Sequence, residues 1–194
     1  MLVVLESIDG GGKETQINLL KKELGSWAAF KYPTDKFQML NDYLHKKIEI
    51  DYQALFLLFL ADIKDEQEKI KHAVKSCEYV FVDRYVFSTI AYEINKIKYE
   101  NAKKIIEDIS FIKPDKVILL DLDAKTSQAR KQKQKQQIAQ ELDRYEENIA
   151  YLEKVRNNFN KLYKDRFLTK KWYKIDATKS IEQVNKEILK VLKK

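Results

Sequence analysis

The sequence is poor in several residue types that build familiar kinds of site. It has one cysteine, two histidines, two prolines and four glycines in 194 residues. The lone Cys77 excludes an intramolecular disulfide and a multi-cysteine metal site, and it suits a reducing compartment. His45 and His72 are too few for most histidine-based metal or triad chemistry. The longest uncharged apolar stretch, residues 54–61, is far below the roughly 20 residues that a membrane helix needs.

The start of the chain also lacks the basic segment and apolar run of a secretory signal, so we expect a cytoplasmic protein with no membrane partner. Lysine and arginine number 37 against 30 acidic residues, which gives a formal net charge of +7. That charge attracts free nucleotides and nucleic acid alike, and a solvated lysine-rich surface explains it equally well. The length and the 44% apolar content predict one globular domain over residues 1–194.

Short apolar runs alternate with amphipathic helical stretches along the chain. The predicted strands are Leu2–Leu5, Trp27–Tyr32, Tyr79–Val82, Lys116–Leu120 and Trp172–Ile175. The predicted helices are Lys13–Leu24, Lys36–Ile48, Tyr52–Lys75, Val86–Asn95, Ala102–Phe111, Lys125 to about Gln137, Leu142–Tyr163 and Ser180–Leu192. The alternation predicts an α/β fold, a five-stranded parallel sheet flanked by helices. Because ligands of such sheets bind beyond the carboxyl ends of the strands, the candidate residues are sought there.

The predicted helix that contains residues 54–61 is apolar on all sides over this stretch. Such a helix must bury more than one face, in the core, against a ligand or against another subunit. A dimer interface on this helix is one of these hypotheses, and we expect a homodimer.

A glycine-rich segment, residues 7–15 with the sequence SIDGGGKET, follows the first predicted strand. It resembles a phosphate-binding P-loop, in which backbone N–H groups at a helix N-terminus converge on phosphate oxygens and Lys13 reaches the β- and γ-phosphates. Ser7 replaces the first glycine of the strict pattern, and Glu14 replaces the Ser/Thr that touches magnesium. Taken alone, the motif is matched equally well by an ordinary glycine-rich turn. The flanking strand and helix favour the P-loop.

A second polar group follows the third predicted strand, where Asp83, Arg84 and Tyr85 stand in sequence. Ser88 and Tyr92 follow at spacings that share one helical face. An aspartate beside a P-loop can hold the shell of a magnesium ion, and the planar fork of arginine suits a phosphate. An Asp-Arg pair that caps a helix is the alternative, and the position after a strand disfavours it.

At these residues the chain resembles the thymidylate kinase family, whose members transfer a phosphoryl group from ATP to dTMP. The matching segments are residues 6–16 (ESIDGGGKETQ), 83–92 (DRYVFSTIAY), 113–115 (KPD), 119–121 (LLD), 143–146 (DRYE) and 175–180 (IDATKS). The DRY segment with its following serine and AY pair distinguishes this family from other P-loop kinases. The resemblance implies a P-loop kinase fold with a short lid at about residues 130–144, and Mg²⁺ with ATP as co-substrate.

The resemblance also implies roles for matching residues. The implied catalytic residues are Lys13, Asp9 and Arg84. The implied ATP-binding residues are Asp9, Gly10, Gly11, Gly12, Lys13, Glu14, Thr15, Arg130, Ala177 and Thr178. The implied dTMP-binding residues are Asp9, Lys36, Phe59, Arg84, Ser88, Tyr92 and Tyr145, with Phe59 stacked on the base and Tyr92 packed on the deoxyribose. The implied metal-side residues are Glu14, Thr15 and Asp83. For Phe59, core packing is an equally good explanation.

Family members carry a catalytic basic residue in the P-loop or in the lid. Here only glycines lie between Asp9 and Lys13, so the resemblance assigns this residue to the lid. The candidates are Lys131, Lys133, Lys135 and Arg144, and the sequence does not choose among them. A solvated helix face also explains the lysine-rich run.

Three departures from the family pattern bear on function. The arginine that reads the pyrimidine edge aligns with Ile63, which leaves Lys64 or Asp62 as substitutes. The phosphate-binding arginine after Pro33 is missing, and Lys36 is nearest to replacing it, with a point charge in place of a fork.

The third departure is Glu14, for which three roles stay open. It could bind magnesium directly, face solvent while Thr15 takes that role, or repel phosphate and slow the enzyme.

We therefore expect an ATP-dependent thymidylate kinase that forms dTDP and ADP and has no nucleic-acid partner. The alternatives are a nucleoside monophosphate kinase of broader or different base specificity and a weakly catalytic nucleotide-binding protein on the same scaffold. A nucleic-acid-binding role is disfavoured because the basic residues lack interleaved aromatics.

Overall fold

The computed structural model describes residues 1–93, 97–137 and 141–194. Its strands are β1 (Leu2–Glu6), β2 (Trp27–Lys31), β3 (Tyr79–Asp83), β4 (Lys116–Asp121) and β5 (Trp172–Asp176). Its helices are α1 (Lys13–Glu23), α2 (Gln38–Leu44), α3 (Tyr52–Asp65), α4 (Gln67–Ser76), α5 (Val86–Glu93), α6 (Tyr99–Ile109), α7 (Ala124–Gln137), α8 (Ile149–Asp165) and α9 (Ile181–Leu192).

The five strands form one parallel sheet in the order β2-β3-β1-β4-β5. The fold class predicted from the sequence is confirmed. Central β1, β3 and β4 are almost wholly buried because helices cover both faces, whereas edge strand β2 alternates between exposed and half-buried residues. The carboxyl ends of β1, β2 and β3 are adjacent, since Leu5 and Lys31 both pair with Asp83. None of the described helices has both the length and the apolar character required to cross a bilayer.

Four predicted helices are wrong in extent by more than one residue at a described end. The helix predicted over Lys36–Ile48 spans Gln38–Leu44, and the helix predicted over Ala102–Phe111 spans Tyr99–Ile109.

In the other two predicted helices, side chains take over backbone hydrogen bonds. The predicted helix Tyr52–Lys75 is broken at Glu66, where the Gln67 side-chain amide donates to the Ile63 carbonyl oxygen at 3.0 Å. That oxygen would otherwise accept from a backbone N–H group one turn later.

The predicted helix Leu142–Tyr163 starts only at Ile149. Upstream of it, the Asp143 carboxylate accepts from the backbone N–H groups of Tyr145 and Glu146 at 2.9 and 3.0 Å, and so favours a turn. The C-terminal end predicted for the helix after β3 and part of the predicted lid fall on residues 94–96 and 138–140, outside the described residues.

Candidate active site

A cavity of about 650 Å³, here called the main cleft, opens at the carboxyl ends of β1, β2 and β3. This volume lies in the range of small-molecule sites. Of the predicted site residues, those that line it are Asp9, Gly10, Gly11, Gly12, Lys13, Glu14, Thr15, Phe59, Asp83, Arg84, Ser88, Tyr92, Arg130, Lys131, Lys135, Tyr145 and Ala177. The chain therefore brings most of its predicted site residues to one cavity.

Four predicted site residues do not line the main cleft. Lys36 donates to Asp65 at 2.5 Å outside it, and Lys133 is exposed. The N–H and hydroxyl groups of Thr178 both donate to the carboxylate of its neighbour Asp176.

Arg144 is the fourth. Its guanidinium donates to Glu49 at 2.7 Å and to the Tyr43 carbonyl oxygen at 3.1 Å. The roles predicted for Lys36, Lys133, Arg144 and Thr178 therefore stay predictions.

The glycines shape the loop between β1 and α1. Gly10 and Gly12 have φ angles of 71° and 82°, which side chains rarely allow. At Gly11 an added Cβ would lie 1.8 Å from the Ser7 hydroxyl oxygen, so only glycine fits. The hydroxyl of Ser7 donates to the Leu120 carbonyl oxygen at 2.7 Å, so the residue that replaces the first glycine ties the loop to β4.

Lys13 is the first residue of α1 and its side chain lies at the bottom of the main cleft. Its ammonium is 3.5 Å from the Ser7 carbonyl oxygen and 3.8 Å from Asp83 Oδ1. Burial and the Arg84 charge lower the pKa of Lys13, while nearby carboxylates oppose the shift. A buried cation at a helix N-terminus among backbone N–H groups can hold the terminal phosphates of a nucleotide.

Asp9, Arg84 and Tyr92 form a cluster in the main cleft in which Tyr92 is buried and the other two are mostly buried. The Arg84 guanidinium forms an ion pair with Asp9, and the Tyr92 hydroxyl donates to Asp9 Oδ2 at 2.8 Å. Burial opposes ionisation of Asp9, but Arg84 and Lys13 outweigh it and lower the pKa of Asp9 to about 2. The Arg84 guanidinium also lies 5.0 Å from the centre of the Tyr92 ring. This arrangement holds a planar cation where an anionic ligand can displace Asp9.

The wall formed by α3 carries Phe59 and Ile63 into the main cleft. Neither proposed substitute for the missing arginine lines it. Asp62 accepts from the Thr34 backbone N–H at 2.8 Å, and Lys64 donates to the Ile109 carbonyl oxygen at 3.0 Å. This end of the cavity is therefore apolar where the family pattern has a cation.

Helix α7 contacts the glycine-rich loop directly. The Ser127 hydroxyl donates to the Asp9 carbonyl oxygen at 2.6 Å, and Arg130 donates to the Gly10 carbonyl oxygen at 3.3 Å. Further along, Lys131 forms an ion pair with buried Glu146 at 2.7 Å. The described part of the lid thus touches the loop that it is predicted to cover.

Three residues that the sequence reasoning did not assign also belong to this region. Glu6 and Glu93 are buried, and Lys31 lines the main cleft and pairs with Glu14 at 2.8 Å. Burial raises the pKa of Glu93 to about 7, although the Tyr145 hydroxyl, which donates to it, opposes the shift. A charged residue at the carboxyl end of a predicted strand is the sequence feature that could have identified two of them, since Glu6 ends β1 and Lys31 ends β2.

Comparisons with known proteins agree on one family. Its sequence model, described as thymidylate kinase, matches residues 5–188. The probable thymidylate kinase of Methanocaldococcus jannaschii is 34% identical over 100% of this chain and 96% of its own length. Human thymidylate kinase is 32% identical over 96% of this chain and 87% of its own. The solved thymidylate kinase of Candida albicans is 24% identical, with a TM-score of 0.79 over 99% of this chain and 90% of that one, and so shares its fold.

Proposed function

The chain belongs to the thymidylate kinase family, and on that premise we propose that it transfers the γ-phosphoryl group of ATP to dTMP. The products are dTDP and ADP, and the step supplies dTTP synthesis. The observation that carries this proposal is the convergence of Lys13, Asp83 and the Asp9–Arg84 pair at the bottom of one cleft. This cluster places two cations, Lys13 and Arg84, each beside a carboxylate, where two phosphate groups must meet.

The proposed reaction is an in-line transfer in which the protein positions and neutralises charge more than it forms bonds. The backbone N–H groups of residues 10–13 and the Lys13 ammonium hold the ATP phosphates. Arg84 leaves Asp9 to bind the phosphate of dTMP, and Asp9 keeps its hydrogen bond from Tyr92. Because the acceptor is already an anionic phosphate, these cations offset the repulsion between donor and acceptor.

Phe59 and Tyr92 form the proposed binding site for the nucleoside of dTMP. Phe59 lines the main cleft and is half-buried, so its ring is available to a base. Tyr92 is held by its hydroxyl on Asp9 and by ring contacts with Tyr145 at 5.2 Å and Phe159 at 6.2 Å. A ring held in this way presents a fixed face to the sugar.

The residues on the metal side fit a magnesium ion that arrives with ATP. Buried Asp83 Oδ1 accepts no hydrogen bond from the described residues, so it is available to a metal-bound water. In the described ranges no group of three or more His, Cys, Asp or Glu side chains could hold a metal ion. A magnesium ion bound here would take other ligands from the phosphates and from water. Thr15 and Glu14 both line the cleft, and the Glu14 carboxylate pairs with Lys31 at 2.8 Å. When bound, Mg²⁺ would neutralise phosphate charge, and Asp83 is the residue that would hold it through a bound water.

For the lid we propose Lys131 and Lys135 as the catalytic cations. Both line the main cleft, whereas exposed Lys133 does not, and Arg144 is bound to Glu49. Lys131 is held by Glu146, whose carboxylate also accepts from the Asp143 backbone N–H at 2.9 Å. Arg130 supports the adenine side beside Ala177, since both line the same cavity.

We further propose a cytoplasmic homodimer that pairs through α3. Leu55, Phe56 and Leu60 of this helix are buried in the chain, yet Leu57 on the opposite side is 52% exposed. A cytoplasmic location is supported by the free Cys77 and by substrates that belong to nucleotide metabolism. Size-exclusion chromatography with light scattering on wild type and on Leu57→Glu tests the dimer.

One observation favours broader base specificity as a second candidate function. Ile63 lines the cleft where the family has an arginine, and both polar neighbours face elsewhere. Hydrophobic contact discriminates between bases less strongly than a hydrogen-bonding side chain does.

A coupled ADP-release assay with Mg-ATP and dTMP, dUMP, dCMP, dAMP or dGMP tests both functions. We expect turnover with dTMP to exceed that with the other acceptors. Comparable turnover with several acceptors supports the broader kinase. ATP binding without turnover of any acceptor contradicts both.

A further inference from the structure

Glu6 is a fully buried carboxylate at the end of β1, directly before the glycine-rich loop. The four residues before it in β1 are apolar and buried. A carboxylate in such a place is costly unless hydrogen bonds satisfy its oxygens. The hydrogen-bond partners of Glu6 therefore identify the part of the structure that it restrains.

Both oxygens of Glu6 are used on a single turn, the one that joins β3 to α5. Oε1 accepts from the backbone N–H of Tyr85 at 2.8 Å, and Oε2 accepts from the Ser88 hydroxyl at 2.6 Å. Burial raises the pKa of Glu6 to about 7, against the opposing effects of Ser88, Arg84 and Lys13. Glu6 thus connects the glycine-rich loop to the turn that carries Arg84.

The turn needs such support because Arg84 has a φ angle of 68°. A side chain in this left-handed region is strained, and it persists only where the surroundings fix it. The Arg84 N–H donates to the Leu5 carbonyl oxygen at 3.2 Å, and the next N–H, that of Tyr85, donates to Glu6. Two consecutive residues at the end of β1 therefore hold two consecutive N–H groups of the strained turn.

Ser88 extends this support to the Arg84 guanidinium. A serine hydroxyl has one proton, and here Glu6 accepts it, so the lone pairs of the Ser88 oxygen are left for other donors. Arg84 Nη1 lies 3.4 Å from that oxygen. While Glu6 is ionised, donation therefore runs from Arg84 to Ser88 to Glu6. Ser88 then serves Arg84 as an acceptor and has no proton left to donate to a base.

We propose that Glu6 is a positioning residue that holds the β3–α5 turn and the Ser88 hydroxyl so that the Arg84 guanidinium faces the acceptor phosphate. This inference rests on the proposed function for its kinetic consequences. Its structural content, a carboxylate that restrains residues 84–88, does not depend on which substrate is used.

The first test compares wild type with Glu6→Gln, Ser88→Ala and the double variant. The carboxamide of Glu6→Gln keeps one acceptor for Tyr85 but cannot replace both carboxylate oxygens. We expect the KM for dTMP to rise at least tenfold in Glu6→Gln while the KM for ATP changes less than twofold. Both residues act on Arg84 through the same sequence of hydrogen bonds. The KM for dTMP of the double variant should therefore be less than twofold higher than that of the more impaired single variant.

A matched control separates this effect from the loss of any buried hydrogen-bonding group. Gln67 is buried outside the main cleft and, like Glu6, accepts from one backbone N–H and one hydroxyl, those of Ile112 and Tyr85, both at 2.9 Å. Gln67→Met should lower the melting temperature as much as Glu6→Gln does, without the selective rise in the KM for dTMP.

The second test is hydrogen–deuterium exchange on the ligand-free protein, which needs no activity. Exchange over residues 84–88 should be at least tenfold faster in Glu6→Gln than in wild type. The rise should be smaller in Gln67→Met, which removes a hydrogen bond of the Tyr85 side chain but none of a backbone N–H group in this segment. Three outcomes would each overturn the proposal. They are equal KM changes for both substrates in Glu6→Gln, effects on the KM for dTMP that multiply in the double variant, and unchanged exchange at residues 84–88. If wild type does not turn over dTMP, the proposed function fails while the exchange experiment still decides the role of Glu6.

Discussion

Ion pairs at the bottom of the main cleft differ in kind from those at its mouth and on the surface nearby. We call Asp9, Lys13, Asp83 and Arg84 the floor, and Glu14, Lys31, Lys36, Asp65, Arg144 and Glu49 the rim. The side chains of the floor are 8–19% exposed, whereas those of the rim are mostly 46–80% exposed, with Arg144 at 23%. Buried charges depend on one another, while exposed pairs contribute little because water and salt screen them. Function and stability should therefore be sensitive to the floor and tolerant at the rim.

The largest expected effect is at Lys13. Lys13→Met removes the cation under the transferred phosphate, and we expect kcat to fall at least about 10³-fold, the scale of a lost transition-state donor. ADP release at saturating substrates measures this. The matched control is Lys116→Met, because Lys116 is buried too but donates to the carbonyl oxygens of Val191 and Leu192, away from the main cleft. A near-normal kcat in Lys13→Met would contradict the proposed role of the floor residues in catalysis.

The second prediction concerns Glu93, a buried carboxylate that has no cation as a hydrogen-bond or ion-pair partner among the described residues. Glu93 is 1% exposed and so more deeply buried than the floor. Its hydrogen-bond donor is the Tyr145 hydroxyl, and Tyr43 is a further titratable group near it. Burial raises its pKa to about 7 from 4.5. Between these values the folded protein keeps a proton that the unfolded chain releases, so stability falls as pH rises from about 5 to 7.

Glu93→Gln removes this titration. We expect the variant to gain stability over wild type between pH 5 and pH 8, by on the order of 3 kcal/mol at most. Urea unfolding at both pH values measures the difference. Because burial also raises the pKa of Glu6 and of Asp143, to about 7 and about 6, wild type and variant must be compared at each pH. An equal pH dependence in both proteins would show that Glu93 does not titrate in this range.

The sequence predicts the strands and the residues of the floor, whereas it does not predict the ion-pair partners at the rim. All five predicted strands lie within one residue of those observed, because short apolar runs between helices leave few alternatives. The positions of Lys13 and Arg84 follow from the motif and strand-end rules. The actual partner of Lys36 was not predictable, since Asp65 approaches it only after α3 packs against the loop that follows β2. Tertiary placement likewise decides that Lys31 and not Lys36 lines the cleft.

The third prediction concerns two lysines of the lid helix, of which one is as little exposed as the floor and the other is exposed like the rim. Lys131 is 18% exposed as a side chain and lines the main cleft, and Lys133 on the same helix is exposed and does not. Lys131→Met should lower kcat about 10- to 100-fold, and Lys133→Met less than about twofold, by the loss of one cation near the transferred group. The two variants carry the same change in charge two residues apart. Equal losses of kcat in both variants would indicate that the total positive charge of the helix matters, and not the position of Lys131.

The smallest expected effect is at Glu14, the residue that departs most from the P-loop pattern. Its carboxylate forms a rim pair with Lys31 at 2.8 Å, and a hydrogen bond and charge from Lys31 lower the pKa of Glu14. Exposed pairs of this kind contribute about 0–1 kcal/mol, so Glu14→Gln should change the KM for Mg-ATP less than about fivefold. Titration of MgCl₂ at fixed ATP measures whether the metal requirement moves with it. A large rise in the Mg²⁺ needed for half-maximal rate would mean that Glu14 turns from Lys31 to the metal and belongs to the floor.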